Sequence, residues 1–314
     1  MSKSTIKYIL KRLFISAITL FIILTVLFLL LKLMPGTPFN DEKLTEMQKA
    51  QIYEKYGMDK PLIIQYFSYL GKMITGDFGI SFGLSKNMPV AYMVGPRIGL
   101  SFGIGIAAVI LGTLVGICLG IYAALKRNTI GDTLATVFSV LGVSIPSFVV
   151  AILLLLLFGV QIPVLPVLFN TSNIIKSSIL PVIALSFSVV ANVARFTRSE
   201  MISVLGSDYI ALAEAKGLDR FTVIRKHAIR NTLIPIITIL GPILVTLMTG
   251  SMVLEQIFTI PGLGTLLIKG INANDYNVVL AVAFLYSVLY VVMMLIIDVS
   301  YGIIDPRIRL GKGE

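Results

Sequence analysis

Long apolar stretches separated by short clusters of charge set the pattern of this chain. A helix needs about 20 mostly apolar residues to cross a bilayer. Six stretches reach that length: Leu13 to Leu31, Ile98 to Leu125, Thr133 to Val160, Ser178 to Ala194, Asn231 to Leu254 and Asn277 to Ile297. The first follows Lys3, Lys7, Lys11 and Arg12, as a secretory signal would. Its apolar run is too long for a signal core, and Lys32-Leu33-Met34-Pro35 is no small-residue cleavage site, so it is expected to stay as a helix. The uncharged run from Thr133 to Ile175 is too long for one crossing, and Pro163 and Pro166 end its apolar core. Pro146, in Ser144-Ile145-Pro146-Ser147, is expected to kink the third helix.

Six crossings put both termini on one side, and the basic residues decide which. With the N-terminus cytoplasmic, the inside segments hold Lys3, Lys7, Lys11, Arg12, Lys126, Arg127, Arg195, Arg198, Lys216, Arg220, Arg225, Lys226, Arg230, Arg307, Arg309 and Lys312. These are 16 of the 26 basic residues, in the shorter loops, whereas the longer outside segments mix theirs with acids. Both termini are therefore expected in the cytoplasm. The net charge of +10 is mostly an orientation signal, so nucleic acid is not needed to explain it.

Composition leads to the same class. Hydrophobic residues make up 56% of 314 and charged ones 13%, with a mean hydropathy of +0.93. Soluble domains carry about 25% charged residues, so this chain is expected to have lipid as its main solvent: an all-α, multi-pass integral membrane protein. The one cysteine, Cys118, allows no disulfide within the chain, and one histidine, His227, excludes a histidine-rich metal site. No catalytic residues and no metal ligands are assigned.

Two connections stand out by length. The outside segment, Pro35 to Arg97, is mixed in charge and reads as helical over Glu42 to Tyr56 and Pro61 to Ile74. The other is inside, at 195–230, and is strongly basic. The expected division is thus 1–97, a first helix plus a large extracytoplasmic segment, and 98–314, a five-helix core carrying the cytoplasmic loop.

That loop reads as helix, break, helix. Ala211, Ala213 and Ala215 are strong helix formers, and Lys216 suits a helix C-terminus. Gly217 can adopt the left-handed conformation that ends a helix, and Asp219 can cap the next. Phe221 and Ile224 then share one side, with Ala228 a turn further, among Arg220, Arg225, Lys226 and Arg230. Two readings stay open on these residues: an interfacial helix on anionic lipid, or a docking helix for a cytoplasmic partner.

The segment resembles the loop that couples ABC importer permeases to their ATPases. Where the general motif has Glu-Ala-Ala, this chain reads Ala211-Leu212-Ala213, with Gly217 in place and Pro235 five residues late. It is closest to the peptide-permease branch, where Asp-Tyr-x-x-x-Ala-x-Ala-Lys-Gly and His-Ala-x-Arg-Asn recur: Asp208-Tyr209, Ala213 to Gly217 and His227 to Asn231 match. Tyr8-Ile-Leu-Lys-Arg-Leu, Met34-Pro35-Gly36-Thr37-Pro38, Gly76-Asp77-Phe78-Gly79-Ile80-Ser81, Glu255 to Phe258, Ile260-Pro261-Gly262-Leu263-Gly264 and Asp305-Pro306-Arg307-Ile308-Arg309 follow in the branch's order. The whole chain therefore resembles the B-type permeases of oligopeptide, dipeptide and nickel importers in the bacterial cell membrane.

The resemblance implies a type I importer fold and a translocation path shared with a second, homologous C-type permease. It also implies two ATP-binding subunits, which would hold ATP and magnesium, and an extracytoplasmic substrate-binding protein. The coupling residues would be Ala213, Ala215, Gly217, Leu218, Asp219, Phe221, Ile224, His227 and Ala228. No phosphate-binding loop of the Gly-x-x-x-x-Gly-Lys-Ser/Thr kind occurs in the chain, so no cofactor and no enzymatic activity are expected on it.

Other features are weighed with their plain alternatives. Gly112, Gly116 and Gly120 form a small-residue ridge that lets another helix come close, in this chain or in a second permease. Pro146 and Ser147 could line the path, because a kink frees carbonyls that must be satisfied inside protein or water. Asn192 and Glu255 are the other path candidates. Arg195 reads as snorkelling to the interface, and Asp298 as a packing residue. Three functions remain open: the ATP-driven importer for peptide or nickel, an ion-gradient-driven secondary transporter, and a membrane receptor. The second would show inverted repeats and midplane acids, which are not found in the sequence.

Overall fold

The computed structural model describes residues 3–33, a few positions between 45 and 57, and 59–304. Met34 to Pro38, Asp305 to Arg309, most of Glu42 to Tyr56 and the side chain of Asp298 lie outside the described residues. The helices are α1 (Lys3–Leu33), α2 (Leu62–Ile74), α3 (Val90–Leu125), α4 (Ile130–Ser144), α5 (Ser147–Leu155), α6 (Ile174–Leu205), α7 (Asp208–Ala215), α8 (Arg220–Thr222), α9 (Ile229–Ile257), α10 (Leu263–Asn272) and α11 (Tyr276–Ile304). Among the described residues four helices are long and apolar enough to cross a membrane alone, or five spans if α4 and α5 are one broken crossing. The expected span from Asn231 to Leu254 falls inside the 29-residue α9.

Several helices outrun their apolar cores. α3 has 36 residues, roughly 54 Å at 1.5 Å per residue, against a hydrocarbon core of about 30 Å. α6 continues for eleven residues past Ala194, to Leu205, so the first part of the expected loop is the end of a membrane helix. Prolines sit inside α3, α6 and α9. Such prolines are tolerated where neighbouring helices satisfy the freed carbonyls.

Pro146 makes a corner instead of the expected kink. Ile145, the residue before it, is extended at φ −84° and ψ 122°, because the proline ring disfavours the helical region there. α4 therefore stops, α5 starts anew, and the two meet at 102°. α5 ends in a wide π-helical turn, Leu156–Gln161.

The chain forms two compact units. One comprises 6–101 and 261–292. Here α2 lays Tyr66 and Met73 against Leu24 and Phe28 of α1 and Val279 and Leu280 of α11. A second cluster joins Val90, Met93 and Val94 to Leu263, Leu266, Val278, Ala281 and Val282. Asp275, fully buried, holds the Gly76-to-Ser81 motif. Its Oδ2 accepts from the Ser81 hydroxyl at 2.5 Å and from the amides of Gly83 and Leu84 at 3.0 and 3.1 Å. Gly83 must be glycine at this approach, since a Cβ would lie 2.5 Å from the Ala273 carbonyl oxygen.

The other unit comprises 1–5, 102–260 and 293–314. α6 is its centre, packed against α4, α5 and α9. The glycine ridge of α3 seats on α6 as well. A Cβ on Gly112 would lie 2.5 Å from Val189 Cβ, one on Gly116 2.7 Å from Val193 Cβ, and one on Gly120 2.6 Å from Thr197 Cβ. α4 repeats the device, with Gly142 against Ala191 and Phe138 edge-on to Phe187 at 5.2 Å.

Two outcomes follow. Gly116→Val should destabilise the purified protein by on the order of 1–3 kcal/mol, the usual range for overpacking, while Gly105→Ala, with open space around the new methyl, should melt like wild type in a thermal scan. Asp275→Ala strands a hydroxyl and two amides, each costing about 1–3 kcal/mol if left unpaired. It should expose the 76–90 segment to added protease; unchanged protection would remove Asp275 from that role.

Candidate functional site

The loop around Gly217 is built by two capping motifs in series. α7 ends in a Schellman arrangement. Gly217 stands at φ +80°, its amide donates to the Glu214 carbonyl at 2.9 Å, and the Leu218 amide donates to that of Ala213 at 3.3 Å. A Cβ at Gly217 would meet nothing within 4 Å, so the glycine answers to backbone conformation alone. Asp219 then caps α8, its carboxylate accepting the Thr222 amide at 2.9 Å. Hydrogen bonds from the Thr222 side chain and amide hold the Asp219 pKa below the ordinary carboxylate value, so the cap stays ionised throughout the neutral range.

From Arg220 the chain is helical without interruption to Ile257. α8 runs through a π-helical turn, Val223–Ala228, into α9. The loop is thereby joined to α9 through an unbroken helical segment. On its other side, Gly206 and Ser207 join α7 to α6 in a tight turn, with the Ser207 hydroxyl on the Val204 carbonyl at 2.6 Å.

The loop has two faces. Inward, Ile210, Ala213, Val223 and Ala228 are buried with Ala124 of α3 and Met201 of α6, and Ile224 packs at the edge of this cluster. Thr232 reinforces it, donating to the Ala228 carbonyl at 2.9 Å and touching Met201 Sδ at 3.3 Å. Outward stand Tyr209, Leu212, Leu218 and Phe221, the last 68% exposed. The Arg225 guanidinium lies over the Phe221 ring at 5.9 Å. A cleft of about 420 Å³ opens beneath the turn, lined by Leu125, Leu205, Glu214, Leu218, Arg220 and Ile224 among others.

The nine coupling candidates thus fall on both faces. Ala213 and Ala228 are core, with Ile224 and His227 half-buried. Ala215, Gly217, Leu218, Asp219 and Phe221 are exposed. Sequence reasoning passed over Tyr209 and Leu212 on the outer face. The signal was present: they alternate with Ile210 and Ala213 at helical spacing, so two apolar stripes share α7. It also passed over Val223 and Met201 in the core.

The path candidates are dispersed over three helices. Pro146 and Ser147 form the corner between α4 and α5. Asn192, on α6, is half-buried and donates to the Ser188 carbonyl of its own helix at 2.8 Å. Glu255, near the end of α9, is buried. Cys118 is a free, exposed thiol.

Comparison with known proteins agrees with this architecture. Residues 5–102 match the N-terminal component of binding-protein-dependent transport membrane proteins, and residues 116–310 match the inner membrane component of binding-protein-dependent transport systems. The dipeptide transport system permease protein DppB of Lactococcus lactis is 45% identical, over 97% of this chain and 100% of that protein. DppB of Bacillus subtilis is 42% identical over 98% and 99%. The oligopeptide transport system permease protein OppB of Salmonella typhimurium is 41% identical over 97% and 99%. A chain of the MetNI methionine ABC transporter in an inward-facing conformation superposes with a TM-score of 0.57 at 14% identity, covering 68% of this chain and 97% of that one; it shares the fold. With both family models matched in order and relatives at this identity along nearly the full length, the chain belongs to the binding-protein-dependent transport system inner membrane components.

Proposed function

We propose that this chain is one of two permease subunits of an ATP-driven importer that brings dipeptides or oligopeptides into a bacterial cell. The two-faced loop at Gly217 carries the reading. Its inner face is locked into α3, α6 and the start of α9, while its outer face leaves Leu212, Leu218 and Phe221 uncovered among basic residues. An apolar tip on a rigid, charged stem suits insertion into a groove of a soluble protein. The peptide-permease relatives supply the substrate class.

In this reading six helices cross the inner membrane, with the broken α4–α5 pair as one of them, and both termini are cytoplasmic. Residues 1–97 provide the first crossing and the outside segment, and 98–314 provide five crossings and the coupling loop. The path lies between this chain and a homologous second permease. A binding protein delivers peptide from outside. Two ATPase subunits hold ATP and magnesium, so this chain transports without being an enzyme. Pro146, Ser147, Asn192 and Glu255 are the residues proposed to border the path. ATP shifts the transporter toward its outward-facing form only as far as the ATPases bind it more tightly in that form, and the loop delivers that difference to the helices.

Cells lacking the gene should lose uptake of radiolabelled di- and tripeptides and regain it when the gene returns, with no change in nickel-63 uptake. Nickel uptake restored alone would keep the importer and replace the substrate. Phe221→Asp should leave the permease in the membrane but release the ATPases during purification, and lower peptide uptake on the order of tenfold, about 1.4 kcal/mol of docking. Gly217→Val places a branched residue at positive φ, a penalty of roughly 1–2 kcal/mol. It should impair uptake even though the added Cβ meets nothing within 4 Å. Normal uptake and normal ATPase recovery in both variants would remove the loop from coupling.

A further inference from the structure

Asp132 and Arg198 meet where α3, α4 and α6 converge on the stem of the loop. The Arg198 guanidinium takes the carboxylate in a fork, Nε to Oδ1 at 2.5 Å and Nη2 to Oδ2 at 2.8 Å. Asp132 is only 4% exposed. Its Oδ2 also accepts the amide of Asn128 at 3.0 Å, and Asn128 is in the left-handed region at φ +63°. One carboxylate therefore shapes the turn between α3 and α4 and ties it to α6. Arg198 lies about two helical turns before the end of α6. At the same level a Cβ on Gly120 would lie 3.0 Å from the Arg198 amide nitrogen, so α3 abuts α6 at this point.

Adhesion alone does not account for the pair. The glycine contacts already join α3 to α6, and a mostly buried ion pair gives up much of its attraction to desolvation. What a two-pronged Arg–carboxylate contact adds is direction: it fixes the rotation and height of one element against another. Here it fixes the α3–α4 turn against the stem that carries α7, whose inner face rests on Ala124 and Met201.

We propose that Asp132 and Arg198 are positioning residues for energy coupling, a clamp that makes α3, α4 and the stem of α6 move as one body when the loop is displaced. The proposal rests on the importer reading above. Without the clamp, the stem twists independently of α3 and α4, and displacement of the loop is dissipated before it reaches the membrane helices.

The test is a double-mutant cycle on the assembled transporter in proteoliposomes, with trialanine as the transported probe and peptide moved per ATP hydrolysed as the readout. Asp132→Ala and Arg198→Ala should each lower that ratio about tenfold, within the range of measured couplings between sites. ATP hydrolysis should persist, and the double variant should be no worse than either single one. A merely structural loss would lower hydrolysis and uptake together. Wild-type ratios in both single variants, or losses that multiply in the double, would overturn the proposal. If the alanine variants do not assemble, Arg198→Lys, which keeps the charge and loses the fork, carries the test: a fall in the ratio is expected, and a wild-type ratio overturns it. If wild-type transporter moves no peptide, the importer reading falls. Trypsin cleavage at Lys216 and Arg220 then decides the clamp by itself, faster cleavage in Arg198→Lys being expected and an unchanged rate overturning it.

Discussion

The backbone-to-backbone approach of α3 and α6 is the constraint on which the larger unit is built. In lipid there is little hydrophobic gain from pressing one apolar helix on another, so association rests on van der Waals contact and hydrogen bonds. Gly112, Gly116 and Gly120 recur every fourth residue and bring α3 within reach of the α6 main chain at three successive levels. A side chain at any of them would overlap Val189, Val193 or Thr197. With α3 placed, Gly142 and Phe138 seat α4 on the next face of α6. α6 thereby becomes a central post, and it is this post that extends past the apolar region to carry the loop around Gly217.

Each joint of the loop around Gly217 is closed by a local rule. The Schellman bonds at Gly217 satisfy the Ala213 and Glu214 carbonyls near the end of α7, and Asp219 satisfies the Thr222 amide in the first turn of α8. Between them only Leu218 is left to bridge two helices, which leaves little freedom for the turn to flex. The apolar groups that remain uncovered, Leu212, Leu218 and Phe221, are then presented at fixed positions, and a preorganised surface loses less on binding than a mobile one.

How much of this was legible in the sequence follows from the range of each interaction. The apolar spans and the helix–break–helix at Gly217 could be read, because length, capping and left-handed glycine are properties of adjacent residues. The glycine ridge announced a close approach and left its partner open between this chain and another; only the fold assigns it to α6. Pro146 signalled a bend, but the 102° corner depends on how α4 and α5 each pack on their neighbours. The Asp132–Arg198 fork joins residues 66 positions apart, and nothing local to Asp132, just before the expected third span, points to so distant a partner. Phe221, Ile224 and Ala228 were placed along one side because the segment was given the period of an α-helix, whereas Phe221 is exposed and Ala228 buried.

That last difference has a geometric cause. In an α-helix residues five apart point about 140° away from each other, so Val223 and Ala228 could not both face the core. In the π-helical turn that holds them, hydrogen bonds run from i to i+5, which brings such residues round to the same side of the helix. Both are buried, at 1% and 0% exposure. The turn thus re-registers the helix between the loop and the membrane. Before it, Phe221 faces outward; past it, Thr232 touches Met201 of α6. A regular helix would have to give up the burial of Val223 or of Ala228 to keep the other, so the widened turn lets a single continuous helix leave Phe221 exposed while both stay packed.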